Sequence, residues 1–227
     1  TLLTKSLTDD SLEALQRPSN VPNLQKVSPM ILLAGNVTYL KNSYRPVIIG
    51  GESEFFIDTF DVYPETGIIF GEEEINARSR VTLIGSKVKE ELFGKQEALG
   101  QFIRINDQRF RVIGLFPARG QVAFFNLDDL VLIPHTTAKV YLSGADFYDR
   151  IVMVADHVDN VDKMVFDATV ALREAHNIDY DEDDDFYIQT QQGLLDQITA
   201  ITSILTAFLA AVVSISLVVG GIGIMNI

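Results

Sequence analysis

Residues 197–227 contain no Asp, Glu, Lys, Arg or His, a run of 31 consecutive uncharged positions. Within it stand Ile204-Leu205, Phe208-Leu209, Val212-Val213 and Leu217-Val218-Val219. Crossing the hydrocarbon of a bilayer takes roughly 20 apolar residues, so the run is longer than one crossing requires. A buried helix in a soluble domain rarely runs that far without a charge. The segment is therefore read as a membrane span. The chain starts at Thr1 and stops inside or just after the span, so it is read as a piece of a larger membrane protein. Thr199, Thr202, Ser203 and Thr206 make the first turns the more polar ones. Residues 194 to about 205 are accordingly expected to form a helical stalk that continues rigidly into the membrane. Farther along, Ala210, Ser214 and Gly221, with Ala207 and Gly220 nearby, offer a small-residue face for close helix packing. Gly220, Gly221 and Gly223 have two readings, a hinge at the membrane or close-packing positions, and close packing is preferred.

Every charge lies in the first 196 residues, 18 basic against 31 acidic for a net charge of −13. Phosphate neutralisation needs clustered Lys and Arg, and an acidic chain of this kind is a poor nucleic-acid binder. The absence of Cys removes disulfides and thiolate zinc sites. The flank before the span is acidic, whereas basic residues favour the cytoplasmic side. That bias favours residues 1–196 lying on the extracytoplasmic side of the cell membrane. About 196 residues suffice for one large or two small cored domains.

Thr8 can cap a short helix with Asp9 and Asp10 in its first turn, Leu12 and Leu15 facing inward and Pro18 ending it. Residues 27–41 are β-rich and broken at Ala34-Gly35-Asn36. Asn42-Ser43 is read as a turn into a strand over 44–49 that ends at Gly50-Gly51. Val81-Thr82-Leu83-Ile84-Gly85 reads as a short buried strand. Ser86 then caps a helix with Val88 and Leu92 on one face, closed by Gly94. A hairpin follows. Ile103 and Ile105 alternate with Arg104 on one arm, and Phe110 and Val112 alternate with Arg109 and Arg111 on the other, around Asn106-Asp107-Gln108. Val131-Leu132-Ile133 is another strand, with Pro134 suited to the first turn of a helix. Residues 151–155 read as a strand. Val158, Val161, Val165, Ala168 and Leu172 line one helical face, and Phe186-Tyr187-Ile188 reads as a last strand.

The expected fold is α+β. Residues 1–56 and 148–192 are the two parts of a split βαβ, ferredoxin- or porter-like extracytoplasmic domain. Residues 57–147 form an inserted small α/β subdomain, and 193–227 form the stalk and transmembrane helix.

Residues 179–185 hold six acids in seven positions. They lack the loop Gly and distal Glu of a calcium loop and are read as a solvated turn. His135, His157 and His176 show no metal-ligand spacing. Lys95 follows Gly94 but is followed by Gln96 and has no phosphate-loop glycine upstream, so no nucleotide site is read here. The loop 117–126, with adjacent Phe124 and Phe125, is the segment singled out for contact with a partner or substrate. The alternative is that both rings pack on the inserted unit.

Four strings follow one another in order: Ser79-Arg80-Val81-Thr82-Leu83-Ile84-Gly85, Glu91-Leu92-Phe93-Gly94, Leu99-Gly100-Gln101-Phe102-Ile103-Arg104-Ile105-Asn106 and Phe110-Arg111-Val112-Ile113-Gly114. Together they resemble the periplasmic core domain of MacB-type ABC transporter permeases. The closing run from Ser216-Leu217-Val218-Val219-Gly220-Gly221 to Ile222-Gly223-Ile224-Met225-Asn226-Ile227 resembles the second transmembrane helix of the same FtsX-like permease module. Arg119-Gly120-Gln121 stands where many relatives carry Lys-Gly-Gln. The resemblance covers nearly the whole chain and is sharpest over 64–116 and 212–227.

The resemblance implies a non-catalytic permease part, dimeric or paired with a second permease subunit. An ABC ATPase, fused or separate, would hold the ATP and Mg, leaving no cofactor in this chain. A periplasmic adaptor and an outer-membrane exit duct are implied where an outer membrane exists. Such permeases transmit motion from the cytoplasmic ATPase through the stalk to the outside domain, which expels substrate already in that compartment. The alternatives are an FtsX-like regulator that activates a cell-wall hydrolase, and a lipoprotein-releasing permease. FtsX outside domains are generally shorter and lack the strand-helix-hairpin core quoted above.

Overall fold

The computed structural model describes residues 7–122 and 125–225. The chain divides into two units, Thr1–Phe186 and Tyr187–Ile227.

The first unit opens with α1 (Asp9–Gln16), whose Thr8 forms a capping box with Ser11. Long strand β1 (Leu24–Leu33) is followed by β2 (Val37–Tyr39), β3 (Asn42–Tyr44) and β4 (Val47–Gly51). Then come α2 (Ser53–Phe60), β5 (Thr66–Gly67), α3 (Glu72–Asn76), β6 (Val81–Ile84) and α4 (Ser86–Phe93). The hairpin strands β7 (Phe102–Ile105) and β8 (Gln108–Leu115) precede a short pair, β9 (Gln121–Val122) and β10 (Phe125–Asn126). The unit closes with β11 (Leu130–Pro134), α5 (His135–Ala138), β12 (Arg150–Ala155) and α6 (Val161–Ala175). Among the described residues one mixed sheet runs in the order β12-β1-β4-β11-β6-β8-β7-β2-β3, with β5 on β8. Its parallel pairs are β4 with β11 and β6 with β8. The fold is therefore α+β, as expected. At one end of the sheet β1 and β12 pair antiparallel, and α1 packs against α6.

Strand alternation sorts the core into two layers. Ile31, Ile48, Ile84, Val131 and Ile133 join Ile103, Ile105, Phe110 and Val112 on one face, under Val88 and Leu92 of α4 and Ala138 of α5. Their chain neighbours Met30, Ile49, Leu83, Leu130 and Leu132 point the other way, into Phe55 and Phe56 of α2, Phe70 and Phe116. A strand covered on both faces needs apolar side chains at consecutive positions, which is why Ile48-Ile49 and Leu130-Val131-Leu132-Ile133 show no alternation. Each fully buried aliphatic contributes about 1.5–3 kcal/mol of transfer free energy. At the β7–β8 hairpin the second layer runs out. Ile103, Ile105, Phe110 and Val112 are buried, while Phe102, Arg104, Arg109 and Arg111 are exposed.

Four local expectations are corrected. The turn placed at Asn42-Ser43 lies at Leu40 and Lys41, with Leu40 at φ 51. Asn42 instead starts β3, and its amide donates to the Leu92 carbonyl at 2.7 Å, tying β3 to the end of α4. Ser86 is the first residue of α4, and Gly85 holds the cap position. Pro134 ends β11 rather than sitting in the helix. Residues 186–188 form no strand; Phe186 is buried edge-on against His176, with ring centroids 5.7 Å apart.

The second unit is the helix α7 (Gln191–Met225). Its apolar side chains from Leu195 to Leu217 are exposed, and by length and composition it is the one candidate membrane span among the described residues.

Candidate functional site

The loop 117–126 is held at both ends by the core, because Phe116 and Leu127 are each 1% exposed. Inside it, the β9–β10 pair joins Val122 to Phe125 and Gln121 to Asn126. The Asp128 carboxylate accepts the backbone N–H groups of Arg119 at 2.9 Å and Gly120 at 3.1 Å. The Gly120 carbonyl in turn accepts from the Leu127 N–H at 3.0 Å. Gly120 has φ 68, a left-handed geometry that costs glycine nothing. The Arg119 guanidinium donates to the Asp61 carbonyl at 2.8 Å, where Asp61 closes α2 in the left-handed region. Desolvation pushes the Asp128 carboxyl up, but its two backbone donors and Ser86 outweigh this and hold it below the usual carboxylate range.

Gly85 fixes the base of this loop to the β6–α4 junction. A Cβ there would lie 2.1 Å from the Leu127 carbonyl oxygen and 2.4 Å from that of Asp128. The side chain of Asn126 accepts from Asp128 N–H at 3.2 Å and caps the short turn that follows. Arg119, Gly120 and Gln121 are thus gathered in one clamped loop, with Arg119 as a strut to α2. Phe124 lies outside the described residues. Phe125 is described through its backbone pairing with Val122. Sequence reasoning missed Asp128, Asn126 and Asp61; the spacing Asn126-Leu127-Asp128 is the signal that was there to find, an Asx cap before a turn.

On α7, Ser214 donates to the Ala210 carbonyl one turn back at 2.7 Å, so the two share a face. Thr199, Thr202, Ser203 and Thr206 also bond back to carbonyls four residues earlier, at 2.8–2.9 Å. Each of these hydroxyls is satisfied within the helix, which suits an apolar surrounding. Gly220, Gly221 and Gly223 fall in its last turns.

Three polar clusters lie elsewhere in the first unit. Asp9 accepts from Tyr148 Oη at 2.5 Å and Lys139 Nζ at 2.8 Å. Burial pushes the Asp9 carboxyl up, yet these two hydrogen bonds carry it below its usual value. His135 stands edge-on to Tyr148, and burial drives its imidazole down to about 4. Glu52, Glu54 and Glu72 line a cleft of about 350 Å³ with Gln16, Phe70, Ile75 and Asn76. Burial and the charges of Glu54 and Glu72 raise Glu52 to about 7. The acidic run 179–185 folds around Arg173 and His176. Arg173 binds the Asp184 carboxylate and the Asp179 and Glu182 carbonyls. His176 joins Asp185 at 2.7 Å and Ser11 at 2.8 Å.

The sequence matches the family described as "MacB-like periplasmic core domain" over residues 3–170. This chain belongs to that family. Among curated relatives is a Macrolide export ATP-binding/permease protein MacB of Bdellovibrio bacteriovorus, 30% identical over 210 residues, or 92% of this chain and 32% of the relative. The protein of the same name from Chlorobium luteolum is 37% identical over 72% of this chain and 24% of its own length. That from Neisseria gonorrhoeae is 28% identical over 98% of this chain and 33% of its own. The chain spans about a quarter to a third of the length of these relatives. The fold is shared with the periplasmic region of MacB from Actinobacillus actinomycetemcomitans, at TM-score 0.68 and 19% identity over 85% of this chain and 83% of that one. It is also shared with the extracellular domain of the noncanonic ABC-type transporter YknZ from Gram-positive bacteria, at TM-score 0.66 and 20% identity over 76% and 86%. Residues 3–170 are thus the extracytoplasmic core domain of a MacB-like ABC transporter permease of the cell membrane, and α7 is long and apolar enough to cross it.

Proposed function

We propose that this chain couples cytoplasmic ATP hydrolysis to export by mechanotransmission, moving substrate that is already outside the cytoplasm. The observation that carries the reading is the order of parts: a MacB-like periplasmic core over residues 3–170, then one long apolar helix on the same chain. The catalytic step belongs to a partner ABC ATPase with its ATP and Mg, fused or separate, and the chain supplies the moving part. A second permease subunit, identical or paired, packs along the face of Ala210, Ser214 and Gly221, with Gly220 beside it and Gly223 as a further small position, where small residues let helix backbones approach. The clamped loop of Arg119, Gly120 and Gln121, continuing to Phe124 and Phe125, meets an adaptor or substrate. A rigid loop suits that work because it loses little conformational entropy on contact. A periplasmic adaptor and an exit duct complete the assembly in a double-membrane cell.

The experiment is a pull-down of the intact permease in detergent from its native host, with bound proteins identified by mass spectrometry. Recovery of an ABC ATPase together with an adaptor supports export. Recovery of a peptidoglycan hydrolase without an adaptor sinks it.

A further inference from the structure

On the β7–β8 hairpin, Arg104 stands directly opposite Arg109, and Phe102 directly opposite Arg111. All four side chains are exposed on the same face of the sheet, opposite the buried Ile103, Ile105, Phe110 and Val112. The Arg109 guanidinium sits 4.5 Å from the centroid of the Phe102 ring. Residues 102–115 contain three arginines and a single acid, Asp107, in a chain whose net charge is −13. Salt bridges elsewhere occupy Arg17, Lys26, Lys139, Lys163 and Arg173. Among the described residues no carboxylate lies within 4.0 Å of Arg104, Arg109 or Arg111. Like charges directly across a strand pair are unfavourable. The chain has acids in excess with which to neutralise them, and none is placed there.

We propose that this hairpin face docks an extended acidic segment of a partner protein, with carboxylates at every second residue. Positions 109 and 111 of one strand are spaced by roughly 7 Å, and Arg104 flanks Arg109 at about 5 Å. Every second side chain of an extended peptide repeats at the same spacing of about 7 Å, so its acids match this row. Guanidinium forks bind carboxylates in a bidentate fashion, and Phe102, 49% exposed, supplies an apolar anchor. Arg and aromatic residues together are the composition of protein interfaces. A strongly acidic chain is repelled by an anionic bilayer surface, which favours a local protein contact over lipid headgroups.

The test uses the whole permease in detergent and a fluorescent peptide of alternating Glu and Thr, ten residues long, read by anisotropy at 50 and 300 mM salt. Expected are binding that weakens at the higher salt, a loss of at least tenfold in R104A/R109A/R111A, a smaller loss in F102A and no change in K41A/K95A. Vesicles containing phosphatidylglycerol form the second arm. The proposal is overturned by the absence of peptide binding at 50 mM salt or by a triple variant that binds like wild type. Equal loss in K41A/K95A, or capture by vesicles without capture of the peptide, also overturns it.

Discussion

Tyr148 and Asp9, 139 positions apart in the chain, are joined by a hydrogen bond from the phenol to the carboxylate. The contact fastens α1 to the segment that leads into β12, with Lys139 on the other carboxylate oxygen. Tyr148 is 2% exposed, so its hydroxyl has no solvent to fall back on. Substituting Tyr148→Phe leaves the ring packed and removes the donor. The expected cost is about 1–2 kcal/mol, read as a lower urea midpoint with unchanged slope. The Asp9 carboxyl titrates below its usual value, so the stability it adds is present above the unfolded pKa of about 3.8 and is lost as pH falls through the folded one.

Glu52 works in the opposite sense. Its carboxyl titrates near 7 in the fold against 4.5 for the free group. The native state therefore binds more protons between those values, and stability falls as pH rises through that window. Glu52→Gln removes the penalty. At pH 8 the variant is expected to gain about 1–2 kcal/mol, after allowing for the solvent that still reaches the carboxyl, and at pH 4.5 the gain vanishes. Urea melts of both proteins at the two pH values check this. A pH-independent difference would count against it.

The loop clamp separates into two parts. Gly85→Ala drives a methyl into two carbonyl oxygens and is expected to cost roughly 2–4 kcal/mol of global stability. Asp128→Ala removes the acceptor for Arg119 and Gly120. Amide exchange at those two positions should speed up on the order of tenfold, while the melting temperature stays close to wild type.

The arginine pair gives a stability signature independent of any partner. Arg104→Thr relieves the repulsion with Arg109 and places a β-branched residue in a strand. The unfolding free energy from urea melts is expected to hold or rise, by about 0.2–1 kcal/mol. A clear loss of stability would mean that the pair is held by contacts within the fold.

Much of the fold was legible because each strand carries its environment in its pattern. The alternation of Ile103, Ile105, Phe110 and Val112 with arginines marked the two arms of a hairpin. The unbroken Val131-Leu132-Ile133 marked a strand, and the structure covers it on both faces. The missed elements have physical reasons. Helix α2 holds Phe55, Phe56, Ile57 and Phe60, and a short apolar run of this kind is ambiguous between helix and strand. At Leu40 a turn formed on a residue that rarely takes positive φ, because Asn42 was needed against α4. The candidate loop was legible as a long connection, but not its clamp. Asp128, Asp61 and Gly85 reach it from different parts of the fold, and a local pattern carries no record of such contacts.

Strand β1 serves two neighbours in succession. Its residues from Leu24 to Met30 pair with β12, and Ile31, Leu32 and Leu33 pair with β4. A pull applied along this strand loads both ladders in shear, so their hydrogen bonds resist together and do not peel one at a time. The β12 end of the unit therefore cannot slide against the β4 and β11 end without breaking several bonds at once. Like a tie rod, β1 thus binds the strand on one side of it to the strand on the other.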